Sequence, residues 1–260
     1  MISGDWSSDV CSSDLIFVLF IGITCLLYSC QDTKKEAISK PSSATDSIET
    51  IKDSVVTEDL NKVEEEKKEE DKTPDWELLT TETAPKFFED YGKENPETKV
   101  KIETNLGDIV IQLYEDTPLH RANFIFLVKN GYFDLTTFHR VVKDFIIQAG
   151  GNDGKEVGVA RNEIGRHYLL PAEINPLSVH KLGTVAGAKQ YRDNPGHQTA
   201  PYEFFIFVGE PVSGRHLNDS YTIFGKVIEG LDTAIKISEL ETDAGEWPIQ
   251  LIYIKASVLD

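Results

Sequence analysis

Phe138-His139-Arg140-Val141-Val142 and Phe145-Ile146-Ile147-Gln148-Ala149-Gly150-Gly151 set a guanidinium and a carboxamide inside two strongly apolar runs. Glu203-Phe204-Phe205-Ile206-Phe207 and Ile223-Phe224-Gly225-Lys226-Val227 repeat the pattern further along. An arginine in such a run is costly to bury without a partner, so its strand should face a cleft. Period 2 puts Phe138, Arg140 and Val142 on one face of the first strand, and Ile146 with Gln148 on one face of the next. The chemistry on offer is hydrogen-bond donation beside an apolar pocket. The other common chemistries lack their residues. His120, His139, His167, His180, His197 and His216 are scattered without metal-ligand spacing, and each reads as a surface or hydrogen-bonded histidine. There is no Gly-rich phosphate loop and no Gly-x-Ser-x-Gly. The three cysteines, Cys11, Cys25 and Cys30, all lie in the first thirty residues, which excludes a disulfide framework, a cysteine-ligated zinc and a thiol nucleophile in the body of the chain. No metal or cofactor is expected.

The elements that must carry these residues are short and regularly spaced. Val100–Thr104 and Asp108–Leu113 read as a hairpin about Asn105-Leu106-Gly107. Thr117-Pro118 opens a helix that Asn130-Gly131 closes, and Leu231–Leu240 reads as a second helix. Strands are expected at 137–142, 145–149, 184–188, 203–208, 221–227 and 249–258. Many short strands with two helices predict a mainly β fold, a closed eight-stranded antiparallel barrel capped by two α-helices, over residues 98–260. Ahead of it, residues 76–97 read as an extension whose helix at 83–92 docks on the domain through aromatic residues. The formal charge of −18 argues against a nucleic-acid partner.

Taken together and in this order, the Phe-His-Arg, Gln-x-Gly-Gly, Phe-Phe and Phe-Gly-Lys segments resemble the cyclophilin family of peptidyl-prolyl isomerases, from Val100 to the C-terminus. The resemblance implies that Arg140 is the catalytic arginine, with Gln148 and Glu203 beside it. It implies a proline pocket walled by Phe145, Ile146, Phe205 and Leu217, with His216 and Tyr221 on the rim. It places Gly187, Ala188 and Lys189 on a strand edge that pairs with the substrate backbone. His216 stands where many members have tryptophan, and Glu203 where the family has glutamine. A carboxylate at 203 is expected to pair with Arg140 and compete with substrate for its donors. The function implied is isomerisation of X–Pro bonds in polypeptide clients by a monomer without cofactor. A catalytically weak binding module or chaperone is the alternative.

The N-terminal third reads as an address. Leu15–Tyr28 is an uncharged apolar run too short to span a ~30 Å hydrocarbon core, which suits a signal-peptide core. It ends in Leu27-Tyr28-Ser29-Cys30, which resembles a bacterial lipobox with Cys30 the lipidated residue, so residues 1–30 are expected to be a lipoprotein signal. Met1–Asp14 lacks a basic segment and resembles translated sequencing-adaptor sequence. Residues 31–75 hold neither glycine nor aromatic residue and predict a disordered charged tether. Within it Asp46-Ser47-Ile48 and Asp53-Ser54-Val55 resemble O-glycosylation sites of Bacteroidota lipoproteins. A lipid bilayer is thus an expected partner, and the cell envelope the expected location.

Overall fold

In a computed structural model the structure describes residues 76–189 and 193–260. The expected signal, Cys30 and the tether lie outside these residues. Eight strands form one antiparallel sheet: β1 (Lys99–Thr104), β2 (Gly107–Leu113), β3 (Thr137–Val142), β4 (Ile146–Gly151), β5 (Thr184–Gly187), β6 (Phe204–Phe207), β7 (Ile223–Glu229) and β8 (Lys255–Leu259). Their order across the sheet is β3-β4-β6-β5-β7-β2-β1-β8. Four α-helices accompany them: α1 (Ala84–Glu94), α2 (Pro118–Lys129), α3 (Lys155–Ile164) and α4 (Leu231–Ser238).

Two fold expectations need correction. The sheet is open rather than a closed barrel, with β3 and β8 as its edges. The expected strand 249–258 forms a ladder with β1 only from Lys255 onward. Before that point, Ile249 N–H donates to Glu241 O at 2.9 Å, and the segment meets β3 through one isolated bridge, Thr137 to Tyr253. A bridge stitches the two ends where a closed barrel would need a full ladder. The second correction concerns the helices. α3 was not anticipated because only Val157 and Ile164 are buried along it, and Gly158 interrupts its middle. Two buried residues leave too thin a stripe to read by period.

The sheet buries both faces at the strands that matter. Phe138, Val141, Ile147, Ala149, Phe204 and Ile206 belong to the main core, packed with Phe124 and Phe126 of α2. Ile146, Phe205, Phe207, Ala186, Leu217 and Ile223 form a second cluster on the opposite face, joined by Phe145 and Tyr221. That is why Phe204-Phe205-Ile206-Phe207 is an unbroken apolar run, with all four residues buried. Outside the sheet, α1 lays Ala84, Phe88 and Gly92 against α2. Gly92 approaches Ala122 so closely that a Cβ there would touch it. Arg121 of α2 reaches back to donate to Gly92 O and Asn95 O, each at 3.0 Å, satisfying carbonyls at the C-terminal end of α1.

Candidate active site

The site begins with a fault in the β3–β4 ladder. Phe138 pairs with Ala149 and Arg140 with Gln148, so His139 has no residue opposite it. This bulge reverses the phase of β3. Phe138 and Val141 enter the main core, while Val142 joins the second cluster. Strict alternation, which grouped Phe138 with Arg140 and Val142, is therefore broken at His139. Arg140 faces the cleft instead of the core. On β4 the matching irregularity is Gly150, held at φ +97°, where a Cβ would strike the Tyr202 carbonyl. Gly151 N–H donates to His139 Nδ1 at 3.1 Å, and the imidazole lies over the space a Cβ would need at Gly151. The Gly-Gly pair is thus the backbone's accommodation of the bulge that aims Arg140.

Beside the bulge, Glu203 is the hub of a partly buried polar network. Its Oε2 accepts from Gln148 Nε2 at 3.0 Å and lies 3.7 Å from His139 Nε2, and its Oε1 accepts from Arg161 Nη2 at 3.3 Å. Arg161 comes from α3 and also donates to Tyr132 Oη at 2.8 Å and Gly150 O at 2.9 Å. Burial alone would push the Glu203 carboxyl up, but His139, Arg161 and Gln148 outweigh it and hold it at about 2. The expected Glu203–Arg140 pair does not form. Glu203 turns away because Arg161, unseen in the sequence reading, supplies its cation.

Arg140 has a different partner. Its Nε donates to Glu246 Oε2 at 2.6 Å, across 106 residues of sequence. Glu246 sits at φ +66° in the turn before Pro248, and its own carbonyl accepts from Val141 N at 2.8 Å. Nothing local marked this residue. Because the contact is through Nε, the two Nη groups of Arg140 have no hydrogen-bond partner among the described residues.

Arg140 and Gln148 line a cleft of about 620 Å³. Its apolar part is built from Phe145, Ile146, Phe205 and Leu217. His216, in the short 3₁₀ turn Arg215–Leu217, lines the cleft and stacks on Phe145 with centroids 5.5 Å apart. Tyr221 packs edge-on to Phe205 at 5.6 Å. The underside of Phe205 is supported by His180, which is buried, stacks on it at 5.8 Å, and holds Asn218 Oδ1 at 2.9 Å. Lys189, His197, Asn194 and Ser220 complete the mouth, the last three unforeseen.

Gly187 and Ala188 are not where the resemblance put them. β5 lies between β6 and β7, so it offers no free edge. Gly187 N–H donates to Thr222 O, Ala188 N–H to Glu203 O, and Ala188 O accepts from Ala200 N. These groups are used within the fold, and Gly187 lines a small internal space against Thr199 instead of the cleft. Only Lys189 of the three reaches the cleft. No group of three or more His, Cys, Asp or Glu side chains able to hold a metal occurs among the described residues.

The sequence profile of one family, described as cyclophilin type peptidyl-prolyl cis-trans isomerase/CLD, matches residues 99–258. A peptidyl-prolyl cis-trans isomerase of Acinetobacter baylyi is 36% identical over 150 residues, covering 56% of this chain and 74% of that protein. Peptidyl-prolyl cis-trans isomerase-like 2 of Gibberella zeae is 33% identical over 160 residues, 61% of this chain but 26% of that protein, so this chain matches about a quarter of that relative's length. A crystal structure of a Cryptosporidium parvum cyclophilin type peptidyl-prolyl cis-trans isomerase in the presence of the dipeptide Ala-Pro is similar at a TM-score of 0.52 and 29% identity, covering 62% of this chain and 99% of that one. With more than half the chain inside the profile, and a guanidinium set beside an apolar cleft by a bulged strand, the chain belongs to the cyclophilin type peptidyl-prolyl cis-trans isomerase family.

Proposed function

We propose that this chain catalyses cis–trans isomerisation of X–Pro bonds in polypeptide clients, with Arg140 and Gln148 acting on the amide and Phe145, Ile146, Phe205 and Leu217 holding the proline ring. The observation that carries it is the pair of Arg140 Nη groups, without a hydrogen-bond partner among the described residues, in the same cleft as that apolar wall. Amide resonance imposes a barrier of ~18–20 kcal/mol on the bond. Lowering it requires only a site that favours the twisted amide over the planar one. The Nη donors stabilise the pyramidalising proline nitrogen and the adjacent carbonyl, while the pocket fixes the ring. Exchange NMR on a short X–Pro peptide, with no protease present, tests this: the full chain should accelerate isomerisation, and no acceleration at high enzyme concentration would refute it. A second reading, a weak isomerase that mainly binds clients, draws on the Arg140–Glu246 pair, which substrate must tolerate.

The same proposal extends to location. Leu27-Tyr28-Ser29-Cys30 supports a bacterial lipoprotein whose lipidated Cys30 tethers a monomeric isomerase domain in the cell envelope. Among the described residues no helix is long and apolar enough to cross a membrane. Cys30→Ser should abolish palmitate labelling and release the protein from membranes, and unchanged membrane association would remove Cys30 as the anchor.

A further inference from the structure

Lys189 is a half-buried cation in this acidic chain. Lys101, the other lysine of intermediate burial among the described residues, sits on two carboxylates, Glu103 at 2.9 Å and Asp108 at 3.4 Å. Among the described residues Lys189 has no carboxylate within ion-pair distance, and none of them lines its cleft with a carboxylate. Arg140, the other permanent cation there, is already matched by Glu246. Lys189 is held by neutral groups instead. Its Nζ lies 2.8 Å from His197 Nδ1 and 4.6 Å from the centre of the Tyr221 ring.

This arrangement has a direction. With Nδ1 accepting from the ammonium, the imidazole proton sits on Nε2, so the pair presents donors only: the remaining ammonium protons and an Nε2–H. Asn194 exchanges two hydrogen bonds with Gln198, at 2.7 and 2.8 Å, and so fixes the turn that carries His197. Burial lowers the Lys189 pKa, and no anion among the described residues opposes it. Tyr221 joins this donor pair to the proline pocket, since the ring beneath Lys189 also packs on Phe205. An extended peptide advances about 3.3 Å per residue. A client side chain one or two residues from the bound proline therefore meets Lys189.

We infer that Lys189, braced by His197 and Tyr221, selects clients carrying a carboxylate side chain within two residues of the isomerised proline. The inference rests on the isomerase reading of this cleft. The test uses the full chain with matched peptides bearing Glu, Gln or Lys immediately before proline, or one residue earlier. Exchange NMR gives kcat/KM, and a separate NMR titration gives Kd, so a chain without turnover still yields a binding ratio. In the better of the two positions the Glu peptide should be favoured over Gln by about fivefold at low salt, the size of a good partly exposed ion pair, and Lys should rank last. Added salt at about 0.5 M should shrink the ratio. In Lys189→Met the Glu:Gln ratio should fall to about one, while Lys189→Arg should keep it. Equal treatment of Glu and Gln by the wild type, or a preference that survives Lys189→Met, would overturn the inference. Absence of turnover with every peptide would instead count against the isomerase reading, leaving the Kd ratio to decide the role of Lys189.

Discussion

Arg140 is 38% exposed and its recorded bond is to a residue 44% exposed, so it contributes little to holding the core together. Arg140→Ala should lower kcat/KM about a hundredfold or more, roughly 2.7 kcal/mol on the barrier, with Tm almost unchanged. A variant that unfolds yet remains as active per folded molecule would make Arg140 structural. Glu246 acts through Arg140. It binds Nε and so fixes the plane of the guanidinium without occupying the Nη donors. Glu246→Ala should therefore reduce kcat by about tenfold with KM little changed, and Glu246→Gln, which can still accept from Nε, should recover most of that loss. A rise in kcat/KM for Glu246→Ala would show the carboxylate to be a competitor with substrate.

At the level of elements, legibility followed local pattern. β3 was read to the residue at Thr137–Val142, because its apolar run and punctuation are local. Its facing was misread, because a bulge leaves the composition of a strand intact while reversing which side each residue takes. The apolar residues Phe145, Ile146 and Phe205 were named through the family resemblance, and the structure brings them into one cleft. Glu246 and Arg161 were not singled out, because their roles arise from contacts across long sequence separations or from a helix with almost no apolar stripe. The α1 extension lies before the matched profile, yet Phe88 is 1% exposed and packs against Phe126 and Tyr168. Phe88→Ala should cost about 3–5 kcal/mol, visible as a lower Tm in thermal unfolding. Because α1 contributes no residue to the cleft, kcat/KM per folded molecule should stay within about twofold. A large loss of activity in a folded variant would mean that α1 communicates with the site.

At the scale of the whole molecule, two electrostatic effects oppose each other as pH falls. The chain carries −18 at pH 7 and approaches neutrality near pH 4.7, so mild acidification relieves self-repulsion. Stability should hold or rise slightly from pH 7 to about 5. Below that the Glu203 network decides. Its carboxyl is held at about 2 in the fold against an ordinary 4.5. A group with a depressed folded pKa contributes stability that is complete above the ordinary value and is lost as pH falls towards the folded one. The loss belongs to the window from about 4.5 down to 2 and is on the order of 2–3 kcal/mol. Asp90 is similarly depressed, but it lies on the surface between Lys86 and Lys93, where solvent leaves such pairs little weight. Glu203→Gln should therefore lower Tm at pH 7 by about 5–10 °C, because Arg161 and His139 lose their anion. Activity per folded molecule should change less than stability, since the carboxamide oxygen introduced at 203 can still accept from Gln148 Nε2. As pH drops the two Tm curves should converge near pH 2, where the wild type has lost the same charge. Curves that stay parallel through this window would show that Glu203 does not carry the acid limb of stability.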